Sequence, residues 1–266
     1  MLEINKVYNE DCIGKNGMCL IKNKSVDMIL CDLPYGSTAC KWDIVIPFDK
    51  LWEQYLRMIK DNGAIVLFGN EPFSSHLRLS NEKMLRHEWY WNKINAGNFV
   101  QAKNHPLKIV ENIIVFSKNK VNYYPQMIHN TEEWTATLKA KHKNKKESSM
   151  TQTVEDKYFV MASGKFKSDT DESLAYPKNI IIISKFSNEC NSRHRLHPTQ
   201  KPVELCEYLI NTYTKENDLV LDNCMGVFST AIACININRQ YIGFENNDKY
   251  YELGQQRILD VISKIQ

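Results

Sequence analysis

No C-x-x-C pair occurs among the eight cysteines, no apolar run approaches the roughly 18 residues of a membrane span, and no segment repeats. These absences exclude a spaced-cysteine metal centre, a helical membrane anchor and a repeat architecture, and no metal is expected. Met1-Leu2-Glu3-Ile4-Asn5-Lys6 lacks the basic and then apolar layout of a signal peptide, so the chain is expected in the cytoplasm. Cys12, Cys31, Cys206, Cys224 and Cys234 lie among apolar neighbours, the setting of buried free thiols in a reducing compartment. Charge of one sign is also scarce: 34 basic residues nearly cancel 31 acidic ones, leaving a net charge of +3. That balance permits an anionic partner without demanding one, so an argument for nucleic acid must rest on where the charges lie. What is present is a globular composition. Hydrophobic residues make up 43% and charged residues 24% of the 266-residue chain, which excludes a disordered or fibrous protein and suffices for a core without disulfide staples.

Between Ser25 and Phe116 short apolar runs alternate with helical patterns. Val26 to Asp32 and Gly63 to Gly69 read as strands buried on both faces, and between them Phe48, Leu51, Trp52, Tyr55, Leu56 and Ile59 recur at helical spacing. Further strands are predicted at Glu88 to Trp91 and Asn112 to Phe116. From about Val121 to Tyr176 the chain is polar, lacks sustained periodicity and carries a lysine-rich run from Lys139 to Lys146, so it reads as an insertion. After Pro177 the α/β rhythm returns, with strands at Asn179 to Ser184, Leu219 to Asp222 and Tyr241 to Glu245. Helices are predicted at Val203 to Tyr213, at about Ser229 to Asn236, and from Asp248 onward. The expected division is 1–120, 121–178 and 179–266, the first and last segments forming one α/β domain.

Asp32 ends a buried strand and Pro34 turns the chain, in the order Asp32-Leu33-Pro34-Tyr35-Gly36. The carboxyl end of a parallel strand is where open α/β sheets place their ligands. A strand-terminating turn capped by Asp is the plainer reading of these residues alone. Extended through Ser37-Thr38-Ala39-Cys40-Lys41-Trp42-Asp43, however, the segment resembles the D-P-P-Y motif of phage and bacterial DNA amino-methyltransferases. The resemblance continues through Trp91-Asn92-Lys93, Asn104-His105-Pro106-Leu107, Glu111 to Lys118, and Tyr124-Pro125-Gln126-Met127, covering most of the chain outside the lysine-rich insertion. Leu33 stands where the family usually has proline; Pro34 still fixes its own backbone angle, so the turn survives.

Leu219-Val220-Leu221-Asp222-Asn223-Cys224-Met225-Gly226 ends a second strand and opens a helix, and about twenty residues later Glu245 closes the next strand. A tight turn lets backbone approach a nucleoside, and a carboxylate can take both ribose hydroxyls; many dinucleotide proteins share this pattern. Here the segment resembles the S-adenosylmethionine site of the same methyltransferases, written D-P-x-M-G-S-G-T. That implies Asp222, Asn223, Cys224, Met225, Gly226, Ser229, Thr230 and Glu245 as cofactor-binding residues. Asn9-Glu10-Asp11-Cys12 resembles the segment whose acid lies near the cofactor's adenine, which implies Asp11. His197-Pro198-Thr199-Gln200-Lys201-Pro202 matches the element that approaches the methionine end, which implies His197, Thr199 and Lys201. The catalytic motif precedes the cofactor motif with the variable zone between them, an order resembling the permuted group called β.

The resemblance implies a Rossmann-like methyltransferase fold with a mixed, mostly parallel sheet, in which 121–178 is a target-recognition insertion. It also implies methyl transfer from S-adenosylmethionine to the exocyclic amino group of a flipped base in double-stranded DNA. Asp rather than Ser at the head of the motif points to adenine, with cytosine-N4 methylation as the alternative. Asp32 and a backbone carbonyl near Leu33 or Pro34 would accept hydrogen bonds from the amino group, and Tyr35 would stack on the base. Cys31 and Cys40 flank the motif, but a covalent thiol route belongs to carbon methylation. Lys139, Lys141, Lys143, Lys145 and Lys146, with Arg193 and Arg195, are either solvated charge or phosphate contacts. Val227 and Phe228 replace the family's Ser-Gly, and a bulky residue resists the positive backbone angle a glycine supplies. The expectation is that Phe228 blocks or reshapes the cofactor pocket, which keeps a DNA-binding pseudoenzyme as a second reading. On that view, restoring Ser and Gly tightens cofactor binding. A methyltransferase acting on RNA or on a protein glutamine is disfavoured because those relatives usually place the cofactor motif first. A homodimer and an associated restriction endonuclease are left open.

Overall fold

The computed structural model describes residues 2–38, 40, 42–97, 99–129, 173–186 and 196–265. The chain divides into two compact units, Met1–Tyr124 with Lys178–Gln266, and Pro125–Pro177. In the first, one sheet runs in the order β1 (Lys6–Tyr8), β10 (Gln240–Phe244), β9 (Leu219–Asp222), β2 (Val26–Cys31), β3 (Ile59–Gly69), β5 (Val110–Phe116), β4 (Leu85–Asn92) and β8 (Ile180–Ile182). Neighbours are parallel except at β5, which lies antiparallel to both β3 and β4. In the second unit β6 (Ile128–His129) and β7 (Leu174–Ala175) form a short antiparallel ladder.

The unbroken apolar runs of the central strands follow from cover on both faces. In β2, Met28 and Leu30 join one core cluster while Ile29 and Cys31 join the other. Helices α1 (Phe48–Met58) and α2 (Phe73–Ser80) supply Leu51, Trp52, Tyr55, Phe73 and Leu77 to the second cluster. Helices α3 (Val203–Tyr213) and α4 (Ser229–Asn236) supply Leu205, Leu209, Ala231 and Ile232 to the first, and Ile258 of α5 (Asp248–Ile265) adds to it. Each fully buried Leu or Ile contributes about 1.5–3 kcal/mol, so the three layers are held mainly by burial.

From β2 the chain passes through α1 to β3 on one side; from β9 it passes through α4 to β10 on the other. The strand order therefore reverses between the neighbours β2 and β9, whose register pairs Met28 with Val220 and Ile29 with Leu221. A crevice opens at the carboxyl ends of strands where such a reversal occurs. Asp32 and Asp222, 190 positions apart in sequence, emerge there side by side.

Three elements differ from the sequence expectation. The first helix stops at Met58, because Ile59 already starts the long strand β3. The edge strand β1 has three residues and α2 has eight, with Ser74, Ser75, His76 and Ser80 diluting its apolar period, so neither carries a sustained pattern.

Candidate active site

Asp32 leaves β2 directly into Leu33, whose side chain is buried against the α1/α2 core. The departure from proline is thus filled by packing. Gly36 takes φ +66° in the following turn, and the Asp43 carboxylate gathers the loop: it accepts the N–H groups of Gly36, Ser37 and Thr38 at 2.9, 2.9 and 2.7 Å. Burial pushes the Asp43 carboxyl up, but the Thr38 hydroxyl and these backbone donors outweigh it and hold it below the usual carboxylate range.

Around Asp32 lies a cluster of charged and hydroxyl groups. Its Oδ1 accepts the Tyr35 hydroxyl at 2.6 Å and its Oδ2 accepts the Lys201 ammonium at 2.5 Å. The same ammonium lies 3.0 Å from Glu111 Oε1, and the Tyr35 hydroxyl is 3.2 Å from that oxygen. Lys93 reaches Glu111 Oε2 at 3.4 Å. Burial raises the Asp32 carboxyl above its ordinary value; Lys201 opposes the shift and Glu111 adds to it. Burial also acts on Glu111, but Lys201 and Lys93 outweigh it and keep that carboxyl low. Tyr35 stays protonated, since burial and then the two carboxylates push its hydroxyl well above its usual value. Its ring lies on Phe73 with centroids 4.8 Å apart.

On the β9 side, Asp222 accepts the Cys224 N–H at 3.0 Å and the Thr230 hydroxyl at 2.6 Å. Burial lifts its carboxyl to about 6 against those two donors. Asn223 accepts the Tyr55 hydroxyl at 2.5 Å, fixing the loop to α1. Gly226 needs its glycine for the backbone angle of φ +56°, not for room, since a Cβ there would meet nothing within 4 Å. Its N–H donates to Glu245 Oε2 at 2.7 Å, while Glu245 Oε1 accepts the Asn247 N–H at 2.9 Å. Burial raises the Glu245 carboxyl above its usual value, opposed by the N–H groups of Asn247 and Gly226.

Asp32, Leu33, Pro34 and Tyr35 line one cavity of about 760 Å³ together with Asp11, His197, Thr199, Lys201, Asp222 through Gly226, Ser229, Thr230 and Glu245. Every catalytic and cofactor candidate read from the sequence is therefore on one wall or another of a single space. Lys201, grouped by sequence with the cofactor residues, places its ammonium between Asp32 and Glu111. His197 stacks edge-on against Tyr250 at 4.1 Å and lies 5.0 Å from the Trp42 ring, an aromatic wall that sequence reading missed apart from the histidine. Glu111 heads the segment Glu111 to Lys118, and its signal in the sequence is an acid at the start of a strand that is apolar from Ile113 onward. Lys139, Lys141, Lys143, Lys145, Lys146, Arg193 and Arg195 lie outside the described residues.

Two expectations are corrected. Phe228 does take the left-handed conformation, φ 67° and ψ 31°, but its ring does not enter the cavity. It is 0% exposed in the core, edge-on to Tyr251 at 5.7 Å and against Gly254, where a Cβ would collide with the ring. Val227 lines the cavity instead, its carbonyl held by the Arg257 guanidinium. The pseudoenzyme reading rested on an obstruction that is absent. Cys224 is half-buried and not enclosed like Cys12, Cys31, Cys206 and Cys234, because its loop faces the cavity. Cys31 is no nucleophile: burial pushes its thiol up to about 12.

Comparison with known proteins gives a consistent result. The profile of the DNA methylase family, N6/N4 type, matches residues 26–256. The type II methyltransferase M1.MboII of Moraxella bovis is 26% identical over 276 residues, covering 94% of this chain and 95% of that protein. The DNA adenine methyltransferase YhdJ of Escherichia coli K12 is 26% identical over 255 residues, covering 91% and 79%. Among solved structures, the M1.HpyAVI–SAM complex superposes with a TM-score of 0.60 at 21% identity, over 95% of this chain and 98% of the other.

Proposed function

The chain belongs to the N6/N4 DNA methylase family, and from that premise we propose that it moves a methyl group from S-adenosylmethionine to the exocyclic amino group of a base flipped out of double-stranded DNA, adenine in preference to cytosine. The observation that carries this reading is the meeting of Asp32 and Glu245 on one cavity at the reversal of strand order. The residues present fit S-adenosylmethionine. The Glu245 carboxylate accepts the N–H groups of Gly226 and Asn247, with the Asn246 N–H beside it, and its roughly four acceptor sites leave room for a ribose hydroxyl. Gly226 leaves open space, and the carboxylates of Asp222 and Glu245 favour a cation. When bound, S-adenosylmethionine supplies an electrophilic methyl group on a sulfonium.

The rest falls to this chain's side chains. A base amine is a poor nucleophile because its lone pair is delocalised into the ring; hydrogen bonds from it to Asp32 and to a carbonyl at Leu33 or Pro34 favour positive charge developing on nitrogen. Tyr35 presents an aromatic wall to the base, and exclusion of water strengthens every polar contact. Unstacking the base costs a few kcal/mol, which contacts to the DNA must offset. Between β4 and β5, the loop from Lys93 to Ile109 contains no acidic residue and exposes Lys103 and Lys108, which supports an anionic partner. Asp at the head of the motif, as in the resemblance above, favours adenine. The reading places the protein in the cytoplasm, and it requires neither a second copy nor an associated endonuclease.

Calorimetric titration with S-adenosylmethionine, followed by mass spectrometry of bases from methylated duplex, is the test. Binding and methyladenine are expected. No binding would end the enzymatic reading, and methylcytosine alone would overturn the base preference.

The carboxyl of Asp222 at about 6 gives a pH signature. Its folded value lies above the ordinary carboxylate value, so the charge that favours a cation is present above that pH and is lost as pH falls through it. S-adenosylmethionine affinity should drop between about pH 7.5 and 5.5, and the neutral-sulfur product S-adenosylhomocysteine should change less. Equal pH dependence for the two ligands would show that the Asp222 charge does not act on the sulfonium.

For DNA, replacing Lys143, Lys145 and Lys146 with alanine should weaken binding similarly for all sequences. It should also flatten the salt dependence by up to about 0.9 in slope per lost phosphate contact. An unchanged slope would assign the run to solvated charge.

A further inference from the structure

Glu111, the second residue of β5, is buried at 6% exposure, and no part of the reaction above uses it. A carboxylate so placed is retained at a cost unless its partners are well arranged. Its partners are Lys201, which bridges it to Asp32, Tyr35, which bridges the same two carboxylates, and Lys93. We propose that Glu111 is a positioning residue for methyl transfer: through Lys201 and Tyr35 it fixes the Asp32 carboxylate and keeps the cluster electrically neutral, so that Asp32 takes up the proton lost by the alkylated amine. This rests on the methyltransferase reading and deepens it.

Two carboxylates and two ammonium groups sum to zero. Asp32 has about four acceptor sites, of which Tyr35 and Lys201 occupy two. A fifth of its side chain stays exposed toward the cavity. An amino group can therefore donate to Asp32 without displacing either holder. As the nitrogen–methyl bond forms, the sulfur–methyl bond breaks and its electron pair stays on sulfur. The nitrogen becomes cationic; it then passes one proton to an Asp32 oxygen and keeps the N–H electron pair. Positive charge is thus brought up to this cluster and deposited in it. With Glu111 neutralised the cluster would carry +1 before the reaction began and would oppose that movement; with Glu111 ionised it does not.

Among the described residues, other groups also face Asp32. Cys31 precedes it on β2, Asp222 comes from β9 and Cys206 from α3, and the Phe68 ring of β3 underlies Lys201 at 4.8 Å. Of these only Asp222 carries charge at neutral pH, because burial lifts both thiols to about 12.

The test compares Glu111→Gln with Glu111→Asp. Gln keeps the shape and removes the charge that Lys201 shares with Asp32, so Asp32 becomes a weaker base. We expect kcat to fall about 10- to 100-fold, with any loss of S-adenosylmethionine affinity smaller than the loss in kcat, and the acid limb of the kcat–pH profile to move down by roughly one unit. Glu111→Asp should restore part of the rate and return the limb toward its original position. Melting temperature reports folding of each variant. Carbon-13 NMR titration of the Asp32 carboxyl in the wild type and in Glu111→Gln reads the same shift without turnover. An active wild type whose kcat, acid limb and Asp32 titration are unaltered in folded Glu111→Gln would overturn the role of Glu111 alone. Equal losses in the Gln and Asp variants with no pH shift would make it structural. A wild type that transfers no methyl group would overturn the methyltransferase reading and the inference with it.

Discussion

Asp32→Ala should lower methyl transfer to duplex DNA by about 10³-fold or more while S-adenosylmethionine binding remains measurable. The side chain removed is the only carboxylate that both follows the catalytic strand and keeps free acceptor sites toward the cavity among the described residues. Cofactor candidates lie mainly on the neighbouring strand β9 and its loop, held by Tyr55, Thr230 and Glu245, none of which depends on Asp32. Lys201 loses one of two carboxylates but keeps Glu111 at 3.0 Å, so the variant is not left with an unpaired buried ammonium. The loss should therefore appear in kcat, with melting temperature changed modestly. Asp32→Asn offers an intermediate point: the amide oxygen can accept a hydrogen bond but the group cannot take up a proton, so most of the loss should persist. Single-turnover transfer from labelled S-adenosylmethionine, with calorimetry on the same samples, measures both quantities. Wild-type turnover in Asp32→Ala would sink the assignment.

The two halves of the site were legible in sequence for different reasons. Asp32 and Asp222 each end a continuous apolar run, and a buried parallel strand with an acid at its carboxyl end is a local signal. Their adjacency is not local: it follows from β2 pairing with β9 across 190 positions, which no periodicity states. Glu111 shows the converse. An acid at the second position of a strand that is apolar from Ile113 onward is visible in Val110–Phe116, but its meaning appears only when β5 is laid antiparallel on β3 and β4 and Lys201 arrives from another segment. Asp43 was readable as the end of a motif, yet its hydrogen bonds to Gly36, Ser37 and Thr38 depend on a loop closing on itself. Short or irregular pieces such as β1, α2 and the aromatic wall of Trp42 and Tyr250 are held by tertiary packing and leave no period to find.

Phe228→Gly should destabilise the protein by about 1–4 kcal/mol, the reverse of what its sequence context suggests, and leave S-adenosylmethionine affinity close to that of the wild type. Sequence alone sets a bulky residue against a loop that wants glycine, and the backbone does adopt the left-handed region there. Two effects then compete. Glycine relieves about 1–2 kcal/mol of left-handed strain. Removing a ring that is 0% exposed and packed on Tyr251 and Gly254 forfeits about 3–5 kcal/mol of burial and leaves a cavity. The second wins because Gly254 has no side chain with which to refill the space. Affinity is insulated because the ring is in the core, while Val227, Gly226 and Ser229 line the ligand space. Phe228→Ala separates the two effects: alanine keeps the strain and loses nearly as much packing, so it should melt below Phe228→Gly despite being larger. Adding Val227→Ser to Phe228→Gly should not recover stability, since Val227 is itself 2% exposed and its burial is lost. Thermal melts of the three variants beside calorimetry with S-adenosylmethionine decide the matter. A Phe228→Gly protein that melts higher and binds tighter than the wild type would show that strain, not packing, governs this loop; the expected order is wild type above Phe228→Gly above Phe228→Ala.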